Sequence, residues 1–145
     1  MSMTDKLKGT SWRLVEYQSE SKDGDVLYPL GEDALGTIIF TEAGYTAVQI
    51  MAKDRSQPLS DEKLEKYNTE VEKEMGRLGY HAYTGPFTID EEENILTTHV
   101  QISLIPDYVG SKQARKATLE GDMLKLSNVQ YPERRLVWKR ITEVE

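Results

Sequence analysis

Short segments in which apolar and polar residues alternate run through most of the chain. The pattern is densest over residues 80–126, where four such segments follow one another with only turns or a short loop between them. Alternation at every second position predicts β-strands. Strands connected this closely must be antiparallel, because a parallel connection needs a dozen or more residues. The sequence predicts eight main strands, at residues 9–19, 36–41, 45–52, 80–90, 95–105, 113–119, 123–128 and 134–141.

Strands spaced this regularly by turns indicate a sandwich or a barrel. Eight strands in simple up-and-down order can close on themselves around an interior that is wide enough for one small ligand. A length of 145 residues suits one domain, and we expect residues 1–145 to form it.

Residues 60–78 depart from the alternation, because their apolar side chains recur at steps of three and four. Ser60 is a suitable N-cap, and Gly79 ends the pattern. One apolar face is formed by Leu64, Tyr67, Val71, Met75 and Leu78. Because the sequence predicts no second helix, this face must lie on the sheet or at the mouth of a barrel. We favour static packing over a moving lid.

The charge and composition exclude several classes of function. A net charge of −7 argues against nucleic acid or an anionic membrane as a partner. The chain contains no cysteine, which excludes disulfides and thiolate chemistry. His81 and His99 have no third ligand at helical spacing, so we predict neither a metal site nor a cofactor. The N-terminus does not resemble a signal peptide and no apolar run could span a bilayer, so we expect a cytoplasmic protein.

The predicted strand at residues 113–119 places a charged side chain on an apolar face. Arg115 shares its face with Ala117 and Leu119, which predicts that the guanidinium points into the interior. A buried guanidinium is costly unless acceptors or an anion meet it. Those acceptors are either an acidic side chain of the protein or an anionic ligand, and a wet position at the barrel rim is a further alternative.

Two neighbouring strands supply the other candidate interior residues. On the strand from residue 80, one face carries His81, Tyr83, Phe87 and Ile89. On the strand from residue 95, Leu96, Thr98, Val100, Ile102 and Leu104 share a face that we predict to be inner. His99 would then point outward, unless a bulge changes the register.

The first and last strands would be neighbours in a closed barrel. On the first strand, Trp12 and Leu14 share one face, and Arg13, Val15 and Tyr17 the other. An arginine over an indole ring is a favourable contact of about 0.5–2 kcal/mol. We therefore predict that Arg140 packs on Trp12 in a structural role.

Several motifs together resemble the bacterial and fungal lipocalin-like domain proteins. The resemblance rests on LKGTSWRLV, PLG followed by Gly36, TEAGY, YHAYTGPFTID, THV, SLIPDYVGSKQAR, LEGDMLKL and the closing WKR. It covers nearly the whole chain and implies an all-β, eight-to-ten-stranded antiparallel up-and-down barrel with the amphipathic helix on it or at its mouth. Arg115 matches the family's arginine after a P-x-x-x-G loop. His99 lies where one or two histidines usually precede a valine, and the inward residue is either His99 or Thr98. Gly9 lies three positions before Trp12, whereas true lipocalins have two.

The leading functional hypothesis is the binding of a small, partly apolar molecule with an acidic oxygen group inside the barrel. Arg115 would meet the anion, and Tyr108 would shape one rim. Predicted ligand-binding residues are Arg115, Tyr83, Phe87, His81, His99, Val100, Ile102, Tyr108, Leu124 and Trp138. A cofactor-independent cyclase, isomerase or hydratase and a structural domain with a filled interior are the alternatives. We favour binding because no motif requires an enzyme.

Overall fold

The computed structural model describes residues 1–56 and 58–142. Gln57 and residues 143–145, which the single-domain prediction includes, lie outside the described residues. Helices α1, α2 and α3 span Met3–Leu7, Asp61–Leu64 and Glu70–Leu78, and a short 3-10 helix spans Pro106–Tyr108. The strands are β1 Thr10–Glu20, β2 Val26–Leu27, β3 Leu35–Phe40, β4 Tyr45–Met51, β5 Tyr80–Asp90, β6 Ile95–His99, β7 Ile102–Ser103, β8 Lys112–Glu120, β9 Met123–Asn128 and β10 Arg135–Arg140.

Eight of these strands form a closed antiparallel barrel, which confirms the predicted fold. The order around the barrel is β1, β3, β4, β5, β6, β8, β9 and β10, and β10 pairs with β1 to close it. The two shortest strands are additions: β2 pairs with the end of β1, and β7 pairs with β5. At the closure, Arg140 lies opposite Trp12, with its guanidinium carbon 5.9 Å from the centroid of the indole ring. The predicted contact is therefore present.

The strand predicted at residues 95–105 is divided by a β-bulge. Thr98 pairs with Phe87, whereas Ser103 pairs with Tyr83. Between these pairs the later strand therefore advances five residues while β5 advances four. One extra residue on one strand defines a bulge, and it reverses the faces of all side chains that follow it.

Because of this bulge, the side chains of Ile102 and Leu104 point outward and not inward as predicted. Val100 lies before the reversal and is buried, but Ile102 is 68% exposed and Leu104 is 46% exposed. The prediction that Ile102 faces the interior is wrong for this reason. The backbones of Gly85 on β5 and His99 on β6 approach each other very closely. A Cβ atom added to Gly85 would lie only 1.9 Å from the carbonyl oxygen of His99.

The predicted helix at residues 60–78 is two helices joined by a turn. Ser60 and Thr69 are both N-caps, and each side chain accepts a hydrogen bond from the backbone three residues later. Gly79 ends α3 in the left-handed conformation with φ 67°, which glycine adopts without steric cost. Leu78, assigned to the apolar face, is 40% exposed, whereas Glu72 is fully buried.

Helix α3 covers the barrel mouth, by which we mean the end formed by the last residues of β1 and the first residues of β5 and β10. Met75 points from α3 into the barrel interior, which confirms the predicted position of the helix. Below this level the interior is a packed apolar core that includes Leu7, Trp12, Phe40 and Leu124. Within residues 1–56 and 58–142, no helix has the length and apolar character needed to cross a membrane.

Candidate functional site

A cavity of about 50 Å³ lies inside the barrel, between the packed core and α3. Its apolar wall is formed by Ile38, Val48, Ile50, Leu96, Leu126 and Leu136, and Met75 closes it from the helix. A water molecule needs roughly 10–15 Å³ measured in this way. The cavity therefore has room for a few waters or for a molecule of similar size.

Arg115 brings a positive charge to the wall of this cavity. The guanidinium donates hydrogen bonds to Tyr108 Oη at 3.0 Å, Gln113 Oε1 at 3.2 Å and the carbonyl oxygen of Ala114 at 3.0 Å. All three acceptors are uncharged, and no carboxylate of the described residues lies within ion-pair distance of Arg115. Burial lowers the pKa of Arg115, whereas the neighbouring Tyr108 and Tyr83 raise it. The net result is a pKa above the ordinary value of arginine. The side chain is therefore a cation without a counter-charge.

His81 lies next to this cation and is enclosed by aromatic rings. The Tyr108 ring is 4.7 Å from the imidazole, edge to face, and the Tyr83 ring is 5.3 Å away. Neither ring nitrogen of His81 has a hydrogen-bond partner among the described residues, although the side chain is 2% exposed. Burial, and secondly the charge of Arg115, lower the pKa of His81 to about 4. The imidazole is neutral at pH 7 and offers one donor and one acceptor.

The indole of Trp138 lines the same cavity and also has an unused donor. Trp138 is 1% exposed, and its Nε1 has no acceptor among the described residues. The other tryptophan, Trp12, donates from Nε1 to Thr10 Oγ1 at 2.8 Å. Buried indole groups usually find an acceptor, so Trp138 is the exception in this chain.

A buried ion pair holds α3 over the cavity. Glu72 Oε1 lies 3.1 Å from Nε of Arg134, in the turn before β10, and Glu72 Oε2 accepts a 2.6 Å hydrogen bond from Ser19 Oγ on β1. One turn along the helix, Met75 Sδ lies 4.0 Å from Tyr17 Oη. The helix is thus joined to two strands on one side of the barrel mouth.

Five of the ten predicted ligand-binding residues line the cavity: Arg115, Tyr83, His81, Tyr108 and Trp138. Their role in binding stays a prediction.

The other five lie elsewhere. Phe87, Val100 and Leu124 do not line the cavity. They are buried in the apolar core. His99 points outward and contacts Thr88 Oγ1 through Nε2 at 3.4 Å, and Ile102 faces solvent after the bulge. Of the two alternatives for the inward residue, the structure selects Thr98.

Tyr17 is a cavity residue that the sequence pattern placed on the face opposite Trp12 and Leu14. Its strand pairs with β10 through a register shift between Leu14 and Glu16. This second bulge leaves Val15 50% exposed and turns Tyr17 into the interior, where it is 4% exposed. The signal available in the sequence was that the face with Arg13 also carries Val15 and Tyr17 and is not fully polar.

Potential metal ligands are not brought together. Among the described residues, no group of three or more histidine, aspartate or glutamate side chains could hold a metal ion. The chemistry available in the cavity is therefore one fixed cation, a neutral imidazole, an indole N–H and several hydroxyl groups.

A closed up-and-down barrel with a polar cluster in its interior defines a class of proteins whose architecture suits ligand binding. Residues 9–141 match the family of lipocalin-like domains. The chain therefore belongs to that family. No curated protein is detectably similar to it.

Proposed function

We propose that the barrel binds a small, partly apolar monoanion, with its acidic oxygen group at Arg115. The observation that carries the proposal is the cation itself, which lines the cavity and has only uncharged partners among the described residues. Arg115 is partly buried, and withdrawing a charge from water without a counter-charge is costly. A bound carboxylate would replace that cost with charge-assisted hydrogen bonds, which are about twice as strong as neutral ones.

The size of the cavity restricts the ligand. With α3 in its present position the space suits a molecule of about four to six heavy atoms, and displacement of Met75 would admit a longer one. The best small ligands gain at most about 1.5 kcal/mol per heavy atom, so binding should be sought in the micromolar to millimolar range. A structural domain with a filled interior would also have a small cavity. It would not provide a counter-charge for Arg115.

The proposal predicts that sodium propionate binds and that propionamide, its uncharged analogue, does not. Replacing Arg115 with methionine should weaken propionate binding about 10- to 150-fold, because a hydrogen bond to a charged group contributes roughly 1.5–3 kcal/mol. Isothermal titration calorimetry or NMR titration at constant ionic strength measures both effects.

Lys116→Met is the matched control. Lys116 is the next residue on β8, is exposed, and donates to the carbonyl oxygen of Glu93 on the outside of the barrel. Its loss changes the net charge equally but should leave the affinity for propionate unchanged. Equal weakening in both variants, or equal binding of propionate and propionamide, would refute the assignment of Arg115.

A further inference from the structure

The cavity contains unused hydrogen-bonding groups in addition to the cation. Trp138 Nε1 and both ring nitrogens of His81 are without partners among the described residues, and both side chains are at least 98% buried. Leaving a buried donor unsatisfied costs about 1–3 kcal/mol. Three such atoms around one small cavity therefore indicate that a guest molecule supplies their partners.

The two groups differ in what they require. The indole N–H only donates, so its partner must be an acceptor. The imidazole is neutral because burial and Arg115 oppose its protonation, so it can accept at one nitrogen and donate at the other. A hydroxyl group can serve the indole N–H and the accepting imidazole nitrogen together, because its oxygen accepts from the indole while its hydrogen is donated to the imidazole. The imidazole N–H is then left for a further acceptor.

We infer that the ligand is a short hydroxy-monocarboxylic acid, whose carboxylate lies at Arg115 and whose hydroxyl group is selected by Trp138 and His81. The inference rests on the proposed anion-binding function and adds the second polar group. Among the described residues that line the cavity, Arg115 is the one cation. It can balance the charge of one carboxylate. A dicarboxylate would place its second charge against the indole and the neutral imidazole, without a cation to balance it.

The two tryptophans allow the inference to be tested in the unmodified protein. The chain has only two indole groups, and Nε1 of Trp12 is already bonded to Thr10. In a ¹H–¹⁵N spectrum, 2-hydroxypropanoate or 3-hydroxypropanoate should shift the indole signal of Trp138 and leave that of Trp12 in place. Propionate, which lacks the hydroxyl group, should produce a smaller shift.

Affinities provide the second readout. At least one of the two hydroxy acids should bind more tightly than propionate by roughly three- to tenfold or more, because three- to tenfold is the gain expected for one of the two additional hydrogen bonds. Trp138→Phe should reduce this preference towards one, whereas Trp12→Phe should retain it. Because the affinities of the hydroxy acid and of propionate are compared within each variant, a general loss of packing affects both and cancels in their ratio. If a variant does not fold, the spectra of the unmodified protein test the inference.

The outcomes separate this inference from the function on which it rests. If propionate binds through Arg115 but neither hydroxy acid binds more tightly or shifts the Trp138 signal, the selection of a hydroxyl group is wrong and anion binding stands. If none of the three acids binds, both proposals are wrong.

Discussion

The buried carboxylate of Glu72 should contribute far more to stability than an exposed carboxylate two residues earlier on the same helix. Glu72 is fully buried and is bonded to Arg134 and Ser19, and Thr69 Oγ1 lies 3.3 Å from Oε1. Replacement by glutamine keeps the shape but removes the charge opposite Arg134, whose Nη2 already has no partner among the described residues. Breaking a buried pair by removing one partner costs about 3–5 kcal/mol.

Glu70→Gln is the control for this substitution. Glu70 lies in the first turn of the same helix, where it has a similar interaction with the helix dipole. Its carboxylate lies 3.5 Å from Lys73 Nζ, and its side chain is 80% exposed. Exposed pairs contribute about 0.2–1 kcal/mol. The two variants should therefore differ by about 2–4 kcal/mol in the free energy of unfolding.

Urea unfolding, followed by tryptophan fluorescence and circular dichroism, measures this difference. A double-mutant cycle with Arg134→Met isolates the ion pair, because residues in direct contact typically show coupling energies of about 0.5–3 kcal/mol. The reasoning would be refuted by equal stabilities of Glu72→Gln and Glu70→Gln, or by a coupling energy near zero. Either result would mean that α3 is held by its apolar face alone.

Two further predictions concern His81 and the bulge between β5 and β7. Folding lowers the pKa of His81 from 6.5 to about 4, so between these pH values the unfolded chain is protonated at this residue and the folded protein is not. The free energy of unfolding should therefore fall by about 3 kcal/mol as the pH falls from 6.5 to 4. His81→Phe should flatten this part of the pH dependence, and an unchanged slope in urea titrations would contradict the assignment. Gly85→Ala should destabilise by more than about 3 kcal/mol because its Cβ would overlap the His99 carbonyl oxygen. Gly121→Ala, with open space around its Cβ but a φ of 57°, should cost only about 1–2 kcal/mol, and equal losses would show that the close approach is unimportant.

The strand pattern was readable from the sequence because it depends on local alternation. Each of the eight predicted main strands has a counterpart in the structure, although a bulge divides the one at residues 95–105 into β6 and β7, because alternation holds on either side of each bulge. Arg115 illustrates how far this reaches. The face that it shares with Ala117 and Leu119 was enough to predict that it points inward, and β8 has no irregularity in its pairing that could reverse it.

The faces of Tyr17 and Ile102 were decided only by the tertiary structure. Both follow a bulge, and a bulge arises where two particular strands pair, so the sequence of either strand alone does not reveal it. The burial of Glu72 has the same origin, because the sequence pattern predicts a solvent-exposed glutamate, and only the fold brings Ser19 of β1 and Arg134 of the turn before β10 to its carboxylate. Alternation and turns thus determined the barrel and the direction of Arg115, while pairing between distant segments determined the directions of Tyr17 and Ile102 and the burial of Glu72.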